Sequence, residues 1–342
     1  MSYLQPGTKF GEFDVIRELG VGGMGAVYLV QDPETGIGYA AKIMLESPLG
    51  DSDFKKRFIR EAEIAMKVEH PALVKVYEVG RDPDTGYGYM IMDYVSGGDL
   101  HEAIARRLID KKGPYRVSEA LAVIRPLLGA LEAADQAGIV HRDIKPDNIL
   151  FDSEGRPRLA DLGVAKIADD KTLTRLTLTN IVVGTPAYMA PEQMTDSHSV
   201  DIRADLYSLG VVLWEMLSGE CPTAGLSTSE LMARAVKGER LPDIRRLRPK
   251  LPHYVLRFLN KLTDPNPERR FRTPFEALKY LDDWREQEKR RFRRFLLVSA
   301  VLTTLTIAAI LIVGIRLINA PEGLTHEPDE FEAEFSPPDN IR

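Results

Sequence analysis

Cysteine is nearly absent: Cys221 is the single one in 342 residues. That excludes an internal disulfide and suits a reducing compartment. Long apolar runs are also scarce, with one exception near the C-terminus, so a multi-pass membrane protein is excluded. The opening Met1-Ser-Tyr-Leu-Gln-Pro-Gly lacks the charged stretch and apolar run of a secretory signal. There is no collagen-like period, and a basic excess is missing too. The formal charge is −6, and residues 319–342 alone hold seven acids against Arg342. The rest of the chain is therefore formally neutral, which argues against a nucleic-acid partner. What is present is 44% hydrophobic and 28% charged residues, enough to fold around a core as two domains or one domain of two lobes.

Residues 10–95 read as strands and turns with one helix. Gln31-Asp-Pro-Glu-Thr-Gly-Ile-Gly-Tyr39 and Arg81-Asp-Pro-Asp-Thr-Gly-Tyr-Gly-Tyr89 are near-copies. Each sets proline and glycine between apolar runs, the chemistry of a hairpin turn used twice. Phe54, Phe58, Ala62 and Ala65 recur at helical spacing, predicting a helix near 52–68. From about 96 the pattern turns helical. Leu121, Ile124, Leu128 and Leu131 share one face, Ser118 is the expected N-cap, and Pro126 predicts a kink or break. Leu206 to Leu217 is apolar on nearly all sides and predicts a buried helix, closed by Gly219. A strand-rich small lobe before a helical large one is an α+β arrangement.

Phe295 to Ile315 are 21 consecutive residues without charge or proline. At the helical rise they span roughly 30 Å, the thickness of a bilayer's hydrocarbon core. Six bases precede them within 285–294, and the acidic tail follows Arg316. The expectation is a basic juxtamembrane segment (285–294), a transmembrane helix (295–315) and a short acidic tail (319–342). The basic flank puts the body of the chain in the cytoplasm and the tail outside the cell membrane.

Gly20-Val-Gly-Gly-Met-Gly25 allows backbone amides to approach phosphate oxygens. Alone it fits a dinucleotide loop or a plain glycine-rich turn. A dinucleotide loop opens a helix, whereas this one runs into the strand-like Val27-Tyr-Leu-Val30. Lys42 follows in an apolar strand. By itself it reads better as an edge-strand lysine in water. The decisive stretch is His141-Arg-Asp-Ile-Lys-Pro-Asp-Asn148, followed by Asp161-Leu-Gly163 and Ala190-Pro-Glu192.

This ordered set resembles the signature of protein kinases. More narrowly, Gly22-Gly-Met-Gly25, the loop 141–148 and Gly184-Thr-Pro-Ala-Tyr-Met-Ala-Pro-Glu-Gln193 resemble the bacterial membrane-anchored, eukaryotic-like (Hanks-type) serine/threonine kinases. The resemblance covers about 10–284 and implies a bilobal fold, with an N-lobe over 10–95 and a C-lobe over 96–284. It implies ATP as the phosphoryl donor, Mg²⁺ (or Mn²⁺) as the cation, and protein serine and threonine hydroxyls as acceptors. By the same resemblance, ATP lies against Leu19, Gly20, Val21, Gly22, Gly23, Met24, Gly25, Ala26 and Val27. Ala40, Met92, Asp93, Val95 and Leu150 complete that site. Lys42, held by Glu61, meets the α- and β-phosphates, and Asn148 and Asp161 hold the metal. Asp143 receives the hydroxyl proton or orients the hydroxyl, and Lys145 neutralises the transferred group.

The resemblance further pairs Glu192 with Arg270 and has Asp205 brace the catalytic loop. It makes Thr177 and Thr179 the activating phosphosites, with Arg142 receiving the phosphate. Leu162 replaces the usual phenylalanine, without removing a catalytic group. Homodimerisation, through the lobes or the span, is one expected mode of control. A nucleotide-binding scaffold without transfer is the competing class, and the full set Lys42, Glu61, Asp143, Asn148 and Asp161 argues against it.

Overall fold

The computed structural model describes residues 4–22, 25–44, 66–82, 86–162, 186–195 and 200–318. The chain divides into two compact units, Met1–Trp284 and Arg285–Arg342.

The first unit begins with a six-stranded antiparallel sheet. Its strands are β1 (Lys9–Phe10), β2 (Phe13–Gly22), β3 (Gly25–Gln31), β4 (Gly38–Met44), β5 (Val76–Arg81) and β6 (Gly88–Asp93), in the order β1-β2-β3-β4-β6-β5. The two near-copy segments are closed by the same backbone bonds. Asp32 N–H donates to Ile37 O at 3.0 Å and Asp82 N–H to Tyr87 O at 2.9 Å. Gly36 and Gly86 close these turns at φ 70° and 74°, where a Cβ would be strained.

Strand alternation divides the sheet's side chains between two cores. Ala26, Tyr28, Val30, Ala41, Ile43 and Ile91 form a cluster with Leu4, Phe10 and Val15. Ala40, Met90 and Met92 belong instead to the large cluster that continues into the helical part, with Val27 packed against it. Lys42, two residues from Ala40, lies in register between Val27 and Met90. Its side chain therefore shares the face that looks toward the helical lobe.

The helical part comprises α1 (Leu100–Ile109), α2 (Val117–Gln136), the hairpin β7 (Ile149–Phe151) and β8 (Pro157–Leu159), then α3 (Pro191–Thr195), α4 (Ile202–Ser218), α5 (Thr228–Lys237) and α6 (His253–Leu262). The last helix, α7, runs Pro274–Ile318 across the boundary between the units.

One local expectation is corrected and a second is narrowed. The N-cap of α2 is Arg116, not Ser118, which lies within the first turn. Glu119 decides this: its carboxylate receives Arg116 N–H at 2.8 Å and the Arg116 guanidinium at 2.7 Å. Nor does Pro126 break the helix, which runs through it as one element of 20 residues. A mid-helix proline costs about 3 kcal/mol. Ile124, Leu127, Leu128 and Leu131 are fully buried on this helix. Each contributes roughly 1.5–3 kcal/mol by burial, so packing outweighs the lost backbone bond.

Helix α4 is buried from Ala204 to Leu217 and ends at Gly219 with φ 88°. It packs so closely on α6 that a Cβ at Gly210 would come within 2.6 Å of Thr263 Cγ2. The expected helix at 52–68 falls almost wholly outside the described residues.

In the second unit, Leu296–Ile315 is long and apolar enough to cross a membrane, with a mean hydropathy of 2.6. Its three threonine hydroxyls are satisfied within the helix. Thr303, Thr304 and Thr306 each donate to the carbonyl four residues earlier, at 2.9 Å.

Candidate active site

The loop 141–148 lies between α2 and β7 and is held from below by α4. Asp205, fully buried, accepts His141 N–H and Arg142 N–H, each at 2.7 Å. Burial pushes its carboxyl up from the ordinary range, against the pull of His141 and these backbone donors. This is the bracing role expected for Asp205. His141 is also fully buried, and its Nδ1 accepts Asp143 N–H at 3.3 Å. That fixes Nε2 as the protonated nitrogen, which donates to Ala160 O at 2.8 Å. One ring thus ties the loop to the residue before Asp161.

Three polar side chains converge above this base. Lys145 Nζ lies 3.2 Å from Asp143 Oδ2. Asn148 Nδ2 donates to Asp143 O at 2.7 Å and to Oδ2 at 3.2 Å. With the nitrogen committed, Oδ1 is the atom of that amide available to a cation. Asn148 O also accepts Ala160 N–H at 2.8 Å, a second link to the Asp161 segment.

Asp161 meets Lys42 across the two lobes, Nζ to Oδ1 at 2.7 Å. Arg142 and Asp161 have φ of 64° and 60°, left-handed values that cost a non-glycine residue about 1–3 kcal/mol each. The surrounding bonds hold them there.

The expected adenine walls share one cluster. Ala40 and Met92 are buried in it, and Leu19, Val27, Val95 and Leu150 pack against it. Leu162 is buried in the same cluster. At the end of β6, Asp93 N–H donates to Lys75 O at 2.9 Å. Its carboxylate accepts Tyr77 OH at 2.8 Å and Lys75 N–H at 3.2 Å.

The described glycines lie on paired β2 and β3, with Gly20 opposite Val27, Val21 opposite Ala26 and Gly22 opposite Gly25. Gly25 has φ 149°. Val21 is exposed. Ala26, on the other face of β3, packs away from these walls. Gly23, Met24, Glu61, Thr177 and Thr179 lie outside the described residues, as do Thr172, Thr174 and Thr185.

The protein kinase domain family matches residues 13–280. This chain belongs to that family. The kinase is 35% identical over 263 residues to the serine/threonine-protein kinase PrkC of Bacillus subtilis, covering 77% of this chain and 39% of that one. It is 36% identical over 263 residues to PknB of Mycolicibacterium smegmatis, covering 75% of this chain and 40% of the relative. The chain thus spans about two-fifths of the length of these curated relatives. Among solved structures, the kinase domain of Mycobacterium tuberculosis PknI matches with a TM-score of 0.64 at 30% identity. That match covers 82% of this chain and 99% of the other. The bilobal α+β fold expected from the sequence is therefore the fold observed.

The Ala190-Pro-Glu192 turn is anchored by a buried ion pair. Arg270, with no exposed side-chain surface, grips Glu192 through two bonds of 2.6 and 2.8 Å. The same guanidinium donates to Arg203 O and Asp264 O and stacks over Tyr207. This is the Glu192–Arg270 pair expected from the sequence. Nearby, Tyr188 OH donates to Glu215 Oε2 at 2.6 Å, and burial raises the Glu215 carboxyl.

One positioning residue escaped the sequence reading. Gln193 Nε2 donates to Arg142 O at 3.0 Å while its Oε1 accepts Ala190 N–H at 3.0 Å. It clamps the strained Arg142 to the Ala-Pro-Glu turn. Its place beside Glu192 was visible in the sequence, but nothing there pointed to the partner 51 residues earlier.

Proposed function

We propose that this kinase transfers the γ-phosphoryl group of ATP to serine and threonine hydroxyls of proteins at a membrane. The observation that carries the reading is the Lys42–Asp161 bond of 2.7 Å, tied through Ala160 and Asn148 to the Asp143–Lys145 cluster. Phosphoryl transfer asks a protein mainly for positioning and charge neutralisation, and these five side chains supply both.

Asp143 accepts the hydrogen bond of the substrate hydroxyl and orients its oxygen toward the γ-phosphorus. The new O–P bond forms as the bridging bond to the β-phosphate breaks, and the hydroxyl proton leaves toward Asp143. Lys145 neutralises charge on the moving group, and Lys42 holds the α- and β-phosphates. Lysine at this place in Asp143-Ile-Lys-Pro-Asp-Asn148 is the serine/threonine form of the loop. The walls Leu19, Val27, Ala40, Met92, Val95 and Leu150 enclose adenine, and Asp93 and Val95 offer it backbone groups.

Asp161 and Asn148 offer a carboxylate and an amide oxygen, hard donors suited to Mg²⁺. No cluster of three or more His, Cys, Asp or Glu able to hold an ion exists among the described residues. The pair fits a cation that arrives with nucleotide phosphates supplying further oxygens. Bound there, Mg²⁺ supplies neutralisation of the phosphate charge.

We further propose one span, Leu296–Ile315, with the catalytic domain cytoplasmic and the tail extracytoplasmic. The apolar run and the internally satisfied threonine hydroxyls support the span, since hydrocarbon offers polar groups no partner, and the bases before it support the orientation. Phosphorylation of Thr177 or Thr179, which places charge against Arg142, is the proposed switch.

The test is autophosphorylation of the full chain in detergent with Mg-ATP, with sites mapped beside Asp143→Asn and Thr177→Ala/Thr179→Ala. Transfer that disappears in Asp143→Asn and falls sharply in the double variant is expected. ATP binding without any transfer would replace the enzyme by a nucleotide-binding scaffold.

A further inference from the structure

The juxtamembrane bases have no part in the catalytic reading, and their arrangement on α7 is specific. Lys289, Arg290, Arg291, Arg293 and Arg294 fall within six positions that contain no acid. The helix is continuous through them into the apolar run. At 1.5 Å per residue, all five lie within about 11 Å of Leu296 along the axis. That is the depth of the headgroup layer, once the reach of the side chains is added.

At 3.6 residues per turn the five positions spread over about 200° of the circumference. A helix that meets one protein neighbour presents a stripe of roughly 100°. The bases therefore surround more of the helix than a single protein face could satisfy. Glu286 and Glu288 stand at i,i+3 or i,i+4 spacing to only some of them, which leaves an excess of positive charge. The opposite end of the span carries Arg316 alone, and acids follow.

We propose that Lys289, Arg290, Arg291, Arg293 and Arg294 form a collar that selects anionic phospholipid headgroups around the cytoplasmic end of the span. The proposal rests on the membrane reading given above. Arginine forks match phosphate oxygens in pairs, and lysine adds a point charge. The attraction is electrostatic, so it weakens as salt screens it.

The test uses the full chain in nanodiscs, where leaflet orientation has no effect. Spin-labelled phosphatidylglycerol and phosphatidylcholine are compared for the fraction immobilised by the protein. Wild type should favour phosphatidylglycerol by roughly 3-fold or more at low salt. The preference should vanish at about 1 M salt, where the screening length is about 3 Å. It should also vanish when all five bases are changed to Gln, and survive when the four arginines are changed to Lys. Equal immobilisation of both lipids by wild type, as when the bases serve an acidic protein partner, overturns the proposal. A preference that persists in the five-Gln variant does the same. Loss of the chain from vesicles on alkaline carbonate washing would overturn the span itself, and this proposal with it. Retention without lipid preference overturns this proposal alone.

Discussion

Lys42 on β4 donates to Asp161, 119 residues later, at 2.7 Å. The lysine side chain is only 14% exposed, so the carboxylate takes the place of water as its partner. The two therefore act as one unit joining the lobes. Lys42→Met and Asp161→Asn should each lower kcat roughly 100-fold or more. The double variant should be little worse than either single one, because one unit is lost once. Steady-state kinetics of all three variants checks this, and multiplicative losses would count against a shared unit.

Asp205→Ala leaves two buried backbone N–H groups, those of His141 and Arg142, without their acceptor. At about 1–3 kcal/mol per orphaned donor, the loss should be roughly 2–6 kcal/mol. Asp205→Asn keeps an acceptor oxygen for one of them and should lose less. Urea unfolding followed by the fluorescence of Trp214 and Trp284 measures both.

Gln193→Ala removes the clamp between Arg142 O and Ala190 N–H. Arg142, held at φ 64°, can then relax and draw Asp143 with it. A fall in kcat of about 10-fold with little change in the KM for ATP is expected, since small misplacements of catalytic groups are costly. A change in the KM for ATP alone would place Gln193 in nucleotide binding instead.

Glu192→Ala strands the Arg270 guanidinium in the interior, at about 3–5 kcal/mol. Arg270→Met removes the charge but orphans the carbonyls of Arg203 and Asp264. In the double variant the stranded charge is gone, so its loss should be well below the sum of the singles. A double-mutant cycle in denaturant reads the coupling directly.

Glu119 caps α2, and its bonds to Arg116 hold its carboxyl down at about 2, against an ordinary 4.5. The folded pKa is the lower one, so acid favours unfolding between the two values. The stabilisation from Glu119 is fully present above about 4.5 and is lost as pH falls toward 2. Glu119→Gln should lower the melting temperature at pH 7, and the gap to wild type should narrow steadily below pH 4.5. A gap that stays constant to pH 3 would remove Glu119 from the acid response.

Much of the candidate site was legible as words in the sequence. His141 to Asn148, Asp161 and Ala190 to Glu192 are short segments whose residue types carry their chemistry with them. The paired turns at 31–39 and 81–89 were legible for a similar reason: glycine at positive φ is a local requirement. Local signals misled where a stronger contact competed. Ser118 is a good capping residue, but Glu119 reaches back to Arg116 with two kinds of bond. Pro126 is a helix breaker, but its neighbours Ile124, Leu127 and Leu128 are fully buried.

By itself the sequence determined the strand and helix periods, the turn positions and the apolar run after the basic stretch. Each of these depends on residues within a few positions of one another. Only the tertiary structure decided that Lys42 meets Asp161 and that Gln193 clamps Arg142. Such contacts are set by how sheet faces and helices pack. A one-dimensional pattern carries the type of a side chain, whereas the packing fixes which buried donor lies within reach of which acceptor.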